Sequence, residues 1–278
     1  MSAEAPGGEA LGRPDADEIK QCCARLYESE IVSRLLGESF HPGGARLTER
    51  LGQLLGLTSE SCVLDAASGK GASAFVLAQR FGCGVIGVDL SARNVEYAAA
   101  EAERLGHTDR VRFTVGDAEQ LPLGAASVDA IICECAFCTF PDKPRAAQEF
   151  ARVLKPGGQV GLSDITRAAG PPGELGDLMA WIACLADARP AASYAAWLTE
   201  AGLTNVTVES HDDVLVEMIR SIGGRLFATE VLAGLNAIDL QGMNLAEAKR
   251  LTTQALAAAS QGRLGYAIVC ATKLLDGC

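Results

Sequence analysis

The sequence has little of what marks nucleic-acid-binding, membrane or secreted proteins. It carries 24 Lys and Arg against 35 Asp and Glu, a net charge of −11. This shortage of basic residues argues against nucleic acid or an anionic membrane as a main partner, because both attract basic surfaces. No apolar run approaches the ~20 residues that span a bilayer. The first residues lack the basic-then-apolar layout of a secretion signal. We predict a cytoplasmic protein with a disordered leader over residues 1–17.

Histidine is scarce too, with three in 278 residues, and the ten cysteines contain no two CxxC motifs that flank a loop as a zinc ribbon requires. In a reducing compartment such cysteines stay free thiols. Cys62, Cys83 and Cys270 lie in or beside strand-like runs, where we expect them to be small core hydrophobes. Hydrophobic residues make up 49% of the chain, which supplies a sizeable core and excludes global disorder.

The hydrophobic pattern alternates between strand-like and helix-like segments. Alternation of this kind predicts an α/β fold, a Rossmann-like sheet of seven mostly parallel strands with helices on both faces. Residues 18–58 have helical spacing and predict an N-terminal helical cap before a main domain over 59–278. Residues 212–262 predict a helical insertion near the C-terminus. The predicted strands cover residues 62–67, 84–90, 111–117, 128–136, 159–166, 204–210 and 266–273.

The first predicted strand runs into a glycine-rich turn, VLDAASGKGASA. Such a turn before a helix brings backbone N–H groups close to a ligand, and Gly69 and Gly71 allow the close approach. Asp89 ends the next strand, 24 residues after Asp65 (89 − 65). An acid at this place accepts hydrogen bonds from ribose hydroxyls. The pattern indicates a nucleotide-like cofactor, either NAD or S-adenosylmethionine (SAM).

Residues 40–210 resemble the class I SAM-dependent methyltransferases. VLDAASGKG resembles their D-x-G-x-G-x-G loop, with Ala67 at the first glycine, and ARVLKPGGQVGLSD resembles the segment after their active site. In GDAEQLP, the resemblance assigns Asp117 to the adenine amino group and the Ala118 N–H to the ring. It implies SAM as the cofactor. The cofactor-binding residues it implies are Asp65, Ala67, Gly69, Gly71, Asp89, Leu90, Asp117, Ala118 and Cys133.

The stretch CECAFC ends the fourth predicted strand, beside the expected position of the reactive methyl group. Strand alternation predicts that Cys133 and Cys135 share a face while Glu134 points the other way. ECAFCTFPDK and WIACLADARP resemble segments of the arsenite methyltransferases. That resemblance implies that Cys135 and Cys184, 49 residues apart (184 − 135), hold trivalent arsenic as thiolates. It allows Cys22 or Cys23 as a third ligand.

Several alternatives stay open. In the first alternative, the methyl acceptor is an organic small molecule, methylated on O, N or C, and Glu134, Asp164 or His41 is the base. A non-catalytic metalloid-binding protein of the same fold is a further alternative. In either enzyme reading, residues 212–262 are expected to cover the acceptor side of the site. A structural zinc site is the remaining alternative, with Cys133, Cys135, Cys138 and Cys184 as its ligands.

Overall fold

A computed structural model of the chain describes residues 20, 41–168, 187–234 and 244–275. The predicted leader, most of the predicted cap before residue 41, and residues 169–186 lie outside this described part. Seven strands form one sheet. They are β1 Cys62–Ala66, β2 Gly84–Asp89, β3 Val111–Val115, β4 Val128–Glu134, β5 Leu154–Arg167, β6 Leu203–Ser210 and β7 Leu264–Lys273.

Helices occupy the connections between the strands, and their ends follow local capping rules. The Ser91 side chain accepts from the Asn94 N–H at the start of α3, and left-handed Gly106 ends that helix. Across the described part of the chain, no helix combines the length and apolar character that crossing a membrane requires. The helices are α1 Gly44–Leu54, α2 Ala72–Phe81, α3 Ala92–Leu105, α4 Lys143–Val153, α5 Ala191–Glu200, α6 Asp212–Gly234 and α7 Leu245–Ser260, with a short 3-10 turn at Phe137–Thr139.

The spatial order of the strands is β3-β2-β1-β4-β5-β7-β6. Every neighbouring pair is parallel except the two that β7 makes, which are antiparallel. The central strands read as continuous apolar runs because helices cover both faces of the sheet, and Leu64, Ile131 and Ile132 are completely buried. The predicted fold class is confirmed.

The KPGG segment precedes residue 159, where the fifth predicted strand begins. It forms part of β5, which begins at Leu154. Val128 of β4 pairs with Leu154, and the next pairing joins Ala130 to Gln159, so four residues of β5 lie opposite Asp129. This wide bulge, with Gly157 at φ 79°, absorbs the turn within the strand.

Helix α1 packs on the sheet through a close approach to β5. Leu47 and Leu51 of α1 are buried. A Cβ atom built on Gly161 would overlap the Leu51 side chain and crowd Leu55. The absence of a side chain at residue 161 therefore lets α1 lie close to the sheet, next to the end of β4.

We predict that Gly161→Ala lowers the free energy of unfolding by about 1–3 kcal/mol, because the added methyl group overpacks this contact. Urea unfolding measures the change. Gly124→Ala is the matched control, since a Cβ atom there meets nothing within 4 Å. Equal stabilities of the two variants would contradict the packing argument.

Candidate active site

A cavity opens at the carboxyl edge of the sheet. β1 is flanked by β2 and β4, both parallel to it, so the ends of these three strands meet on one side. Residues at those ends line the cavity, together with residues that follow β3 and with Lys20 and His41. In parallel α/β sheets ligands bind in such a crevice, where the strand order reverses.

The loop after β1 forms the floor of the cavity. Ala67, Gly69 and Gly71 have φ angles of 60°, 53° and 84°. Ala67 carries a side chain in this left-handed region, at a cost of about 1–2 kcal/mol. Ala67 and Gly69 line the cavity, but Gly71 does not. A Cβ atom at Gly71 would lie 2.6 Å from the Phe113 ring, so this glycine serves the packing of the loop against β3.

Asp89, at the end of β2, joins the loop after β1 to the start of α3. Its Oδ2 accepts from the Gly69 N–H at 2.7 Å, and its Oδ1 accepts from the Ser91 N–H at 2.9 Å and from Asn94 Nδ2 at 3.3 Å. The carboxylate lines the cavity and is 9% exposed. Truncation to alanine would leave these donors without their acceptor, so the residue contributes to the fold as well as to the site.

Asp117 follows β3 at the far end of the cavity. Its Oδ1 accepts from the Glu119 N–H at 2.8 Å, and its Oδ2 pairs with Lys20 Nζ at 2.7 Å. Lys20 Nζ also lies 2.5 Å from Glu119 Oε2. Ala118 and the partly exposed Leu90 complete this end of the lining.

Glu134, the last residue of β4, is buried against α1. The Thr48 hydroxyl donates to its Oε2 at 2.9 Å, and His41 Nε2 lies 3.7 Å from the same oxygen. His41 Nε2 is also 3.4 Å from Thr48 Oγ1. His41 and Glu134 both line the cavity. The part of the lining next to α1, which we call the inner wall, therefore carries a carboxylate and an imidazole.

Three buried oxygen atoms of the lining have no hydrogen-bond partner within the chain. They are Asp65 Oδ2, Ser68 Oγ and Glu134 Oε1. Buried polar atoms in native proteins are rarely left unpaired. Burial, with the charges of Glu134 and Asp89 close by, holds the pKa of the Asp65 carboxyl well above its usual range. Both the unpaired atoms and the raised pKa mark a part of the lining where these oxygens meet no cation or hydrogen-bond donor of the described chain.

The end of β4 departs from the predicted alternation. Cys135 adopts φ 50°, which ends the strand and turns its side chain into the lining beside Glu134. Glu134 and Cys135 thus both line the cavity, although strand alternation predicted that their side chains point in opposite directions. Cys133 is completely buried in the hydrophobic core and does not line the cavity, so its predicted contact with the cofactor is not supported. Cys138 is also completely buried in this core.

The Cys135 thiol meets a hydroxyl network from the last strands. Its Sγ lies 3.5 Å from the Tyr266 hydroxyl, which donates to the Ser163 carbonyl at 3.0 Å and lies 2.7 Å from Ser163 Oγ. The Cys135 N–H donates to the same carbonyl at 2.8 Å. Burial of the thiol, reinforced by the charge of Asp164, raises the pKa of Cys135 well above its usual range. The sulfur is therefore protonated at neutral pH.

Comparisons with known proteins agree with this geometry. Residues 64–162 match the model of a methyltransferase domain family. The 27-O-demethylrifamycin SV methyltransferase of Amycolatopsis mediterranei is 29% identical over 95% of this chain and 99% of its own length. The arsenite methyltransferase of Halobacterium salinarum is 32% identical over 54% of this chain and 39% of its own length. Phosphoethanolamine N-methyltransferase 2 of Haemonchus contortus, solved with SAM, superimposes with a TM-score of 0.78 at 18% identity, covering 95% of this chain and 61% of that one.

Residues 64–162 carry a methyltransferase domain of the class I SAM-dependent type.

The lining of this methyltransferase suits SAM chemically. SAM carries a sulfonium, an α-ammonium, two ribose hydroxyls and an adenine amino group, all of them cations or donors. The cavity presents four carboxylates to such a molecule, two of them with an unpaired buried oxygen. The carboxylates belong to Asp65, Asp89, Asp117 and Glu134.

Most of the sequence-predicted site residues line this cavity, and the exceptions among the described ones are Gly71, Cys133, Cys138 and Asp164. Cys184, Cys22 and Cys23 lie outside the described residues. The predicted core cysteines Cys83 and Cys270 are buried, whereas Cys62 is half-buried at the start of β1. Among the described residues, no three His, Cys, Asp or Glu side chains are arranged to hold a metal ion.

The sequence analysis did not identify Thr48 and Lys20 as residues of the site. Thr48 contacts Glu134 across 86 residues of chain, and Lys20 contacts Asp117 across 97. Neither contact leaves a local pattern. The signal that was available for Thr48 is a hydroxyl on the apolar face of a predicted helix, where such a group needs a partner.

We predict that Asp65→Asn stabilises the cofactor-free protein increasingly as pH rises above about 4, the pKa of an Asp in an unfolded chain. A carboxyl whose pKa is raised in the folded state binds more protons there than in the unfolded chain, so stability falls with pH above the unfolded value, by up to about 1.4 kcal/mol per unit. Asparagine removes this dependence. Urea unfolding at several pH values measures it, and a stability difference between variant and wild type that stays constant with pH would contradict the argument.

Proposed function

We propose that this methyltransferase transfers the methyl group of SAM to trivalent arsenic held at Cys135. The observation that carries the proposal is the placement of one thiol. Of the six described cysteines, Cys135 alone lines the cavity. As(III) is thiophilic, like the soft metal ions that select thiolate ligands. The likeness to an arsenite methyltransferase supports the same acceptor.

The protonated state of Cys135 suits arsenite, which enters as a neutral hydroxide. The S–H and As–OH groups condense, an S–As bond forms, and the thiol proton leaves with the hydroxide as water. A preformed thiolate is therefore unnecessary, which amends the expectation from the sequence. The hydrogen bond with Tyr266 holds the sulfur at the cavity wall while this exchange occurs.

Methyl transfer then needs position more than acid–base chemistry. When bound, SAM supplies an electrophilic methyl group on its sulfonium. An arsenic atom held by Cys135 would direct its lone pair at that methyl carbon, and the electron pair of the C–S bond would stay with the cofactor sulfur. No protein base is required, because arsenic gives up no proton. Cys135 contributes by fixing arsenic for an in-line displacement. The methylated product is pentavalent, and two molecules of a thiol co-reactant such as glutathione reduce it to As(III) while they are oxidised to the disulfide.

The remaining lining residues are proposed to hold the cofactor. Asp89 accepts from the ribose hydroxyls, while Asp117 and the Ala118 N–H contact the adenine, next to Leu90. Asp65, with Ala67 and Gly69 of the loop, borders the methionine end. Their arrangement along the cavity supports these assignments. Cys184 and Cys22 or Cys23 remain the proposed further arsenic ligands, on the resemblance alone.

Helices α6 and α7 are proposed to cover the acceptor side. Asp212, the first residue of α6, accepts from the Tyr266 N–H at 2.8 Å, and the Tyr266 hydroxyl contacts Cys135. Both helices pack against β7. Limited proteolysis tests the assignment: we expect the segment to stay attached to the sheet, and its release as an independently folded fragment would contradict it.

An organic hydroxyl is the second candidate acceptor. The near full-length likeness to the 27-O-demethylrifamycin SV methyltransferase favours it. His41, at the inner wall beside Thr48, would take the hydroxyl proton, and Cys135 would then only shape the pocket.

We predict that Cys135→Ser lowers As(III) methylation at least ~100-fold, because a hydroxyl is a poor ligand for a soft ion. The assay supplies SAM, arsenite and glutathione, and methylated arsenic is quantified by chromatography with mass-spectrometric detection. Cys184→Ser is expected to lose activity likewise.

Cys62→Ser is the matched control, since Cys62 lies at the opposite end of β1 from the cavity. It should keep the wild-type rate, and all three variants should keep their affinity for S-adenosylhomocysteine. Wild-type arsenic methylation by Cys135→Ser would refute the proposal. A wild-type protein that methylates a phenol but not arsenite would establish the second candidate.

A further inference from the structure

The thiol of Cys135 has one hydrogen-bond partner in the described part of the chain, and that partner is a buried tyrosine. Its Sγ lies 3.5 Å from the Tyr266 hydroxyl, and both Tyr266 and the neighbouring Ser163 are completely buried. Because bulk water does not reach these hydroxyls, their protons are shared only among the three side chains and the backbone. The positions of those protons decide what the thiol offers to a molecule in the cavity.

The Tyr266 hydroxyl has a single proton, and a backbone carbonyl takes it. The Ser163 carbonyl accepts this proton at 3.0 Å, and a carbonyl cannot donate in return. The Ser163 hydroxyl, 2.7 Å from Tyr266 Oη, must then donate to that oxygen. The Cys135 thiol is left with the same role, that of donor. Since Cys135 lines the cavity and Tyr266 does not, the S–H bond points into the protein.

The main chain of Tyr266 is held on both sides by the turn that begins α6. The Tyr266 N–H donates to Asp212 Oδ1 at 2.8 Å, and the Tyr266 carbonyl accepts from the His211 N–H at 2.7 Å. A Cβ atom on Gly265 would overlap the Asp212 carboxylate, so the strand and this turn pack closely. The hydroxyl that meets the thiol therefore belongs to a side chain with a fixed position.

We propose that Tyr266 is a positioning residue, which holds the proton of Cys135 inside the protein and directs a lone pair of the sulfur towards the cavity. The thiol then meets an acceptor as an electron-pair donor and not as a hydrogen-bond donor. This suits an electrophilic and thiophilic atom such as trivalent arsenic, whereas an organic hydroxyl offers no such atom. The inference rests on the proposed role of Cys135 in holding arsenic and deepens it.

The order of events in arsenic binding follows from this direction of the S–H bond. The sulfur lone pair attacks arsenic and forms the S–As bond, while one As–O bond breaks and its electron pair leaves with the hydroxide. Bond formation places positive charge on the sulfur, which makes the S–H group acidic. Its proton passes to the departing hydroxide and gives water. Atoms and charges balance without an oxidant or a reductant, and the Tyr266 hydroxyl keeps its own proton.

The test measures the S–H stretching band of Cys135 in the cofactor-free protein. Infrared difference spectra between the wild type and Cys135→Ser identify this band among those of the ten cysteines. A thiol that donates a hydrogen bond absorbs at lower frequency than an unbonded thiol in an apolar solvent, so we expect the wild-type band below that reference. Tyr266→Phe should move the band up to the reference, because the ring stays and the acceptor oxygen is lost.

Tyr194→Phe is the matched control. Tyr194 is also buried, its hydroxyl donates to the Ile165 carbonyl of β5 at 2.9 Å, and it does not line the cavity. This variant should leave the Cys135 band in place. A wild-type band at the position of the unbonded thiol would overturn the proposal even if a variant failed to fold. A band that stays at the wild-type frequency in Tyr266→Phe would overturn it as well.

Added arsenite separates this inference from the proposed function. In the wild type the Cys135 band should disappear, because an S–As bond replaces the S–H bond. Tyr266→Phe should lose the band about 3- to 10-fold more slowly, which corresponds to one ordinary hydrogen bond, and Tyr194→Phe should keep the wild-type rate. Equal rates in all three proteins would overturn the positioning role. A wild-type band that persists with arsenite would instead overturn the binding of arsenic at Cys135, while its frequency still reports the direction of the proton.

Discussion

The parallel pairing of β1 with β2 on one side and β4 on the other is the constraint on which this site depends. Because the three strands run the same way, their carboxyl ends share one edge, and the acidic side chains of Asp65, Asp89 and Glu134 are brought into one cavity. Like charges so placed repel each other. The fold tolerates the unfavourable free energy of this repulsion because a large core elsewhere, with completely buried side chains such as Leu64 and Ile131, supplies the stability.

Helix α1 has two contacts that bear on this cavity. Thr48 donates to Glu134, and Leu51 packs where Gly161 leaves room on β5. The first contact orients a carboxylate of the lining, while the second sets the distance between the helix and the sheet. A small displacement of α1 would therefore alter the inner wall of the site, although α1 itself packs on a face of the sheet.

The sequence predicted the sheet because apolar runs, glycine-rich turns and helical spacing are local signals. It also predicted Asp89, whose distance from Asp65 follows from the length of one strand–helix–strand unit. It was wrong where a backbone conformation intervened: strand alternation put Cys133 and Cys135 on one face, but the left-handed conformation at Cys135 ends the alternation there. Contacts between distant segments, such as that of Thr48 with Glu134, leave no pattern along the chain.

Four described residues other than glycine adopt positive φ angles, and two of them, Ala67 and Cys135, line the cavity. They follow the ends of β1 and β4, which are neighbours in the sheet. For protein engineering, substitution by glycine has opposite consequences at the two positions. At residue 67 a glycine would relieve strain without removing a functional group, leaving more tolerance for mutations elsewhere. At residue 135 the same relief would remove the sulfur, so attempts to retarget the acceptor are better directed at the neighbouring wall, Thr139 and Phe140.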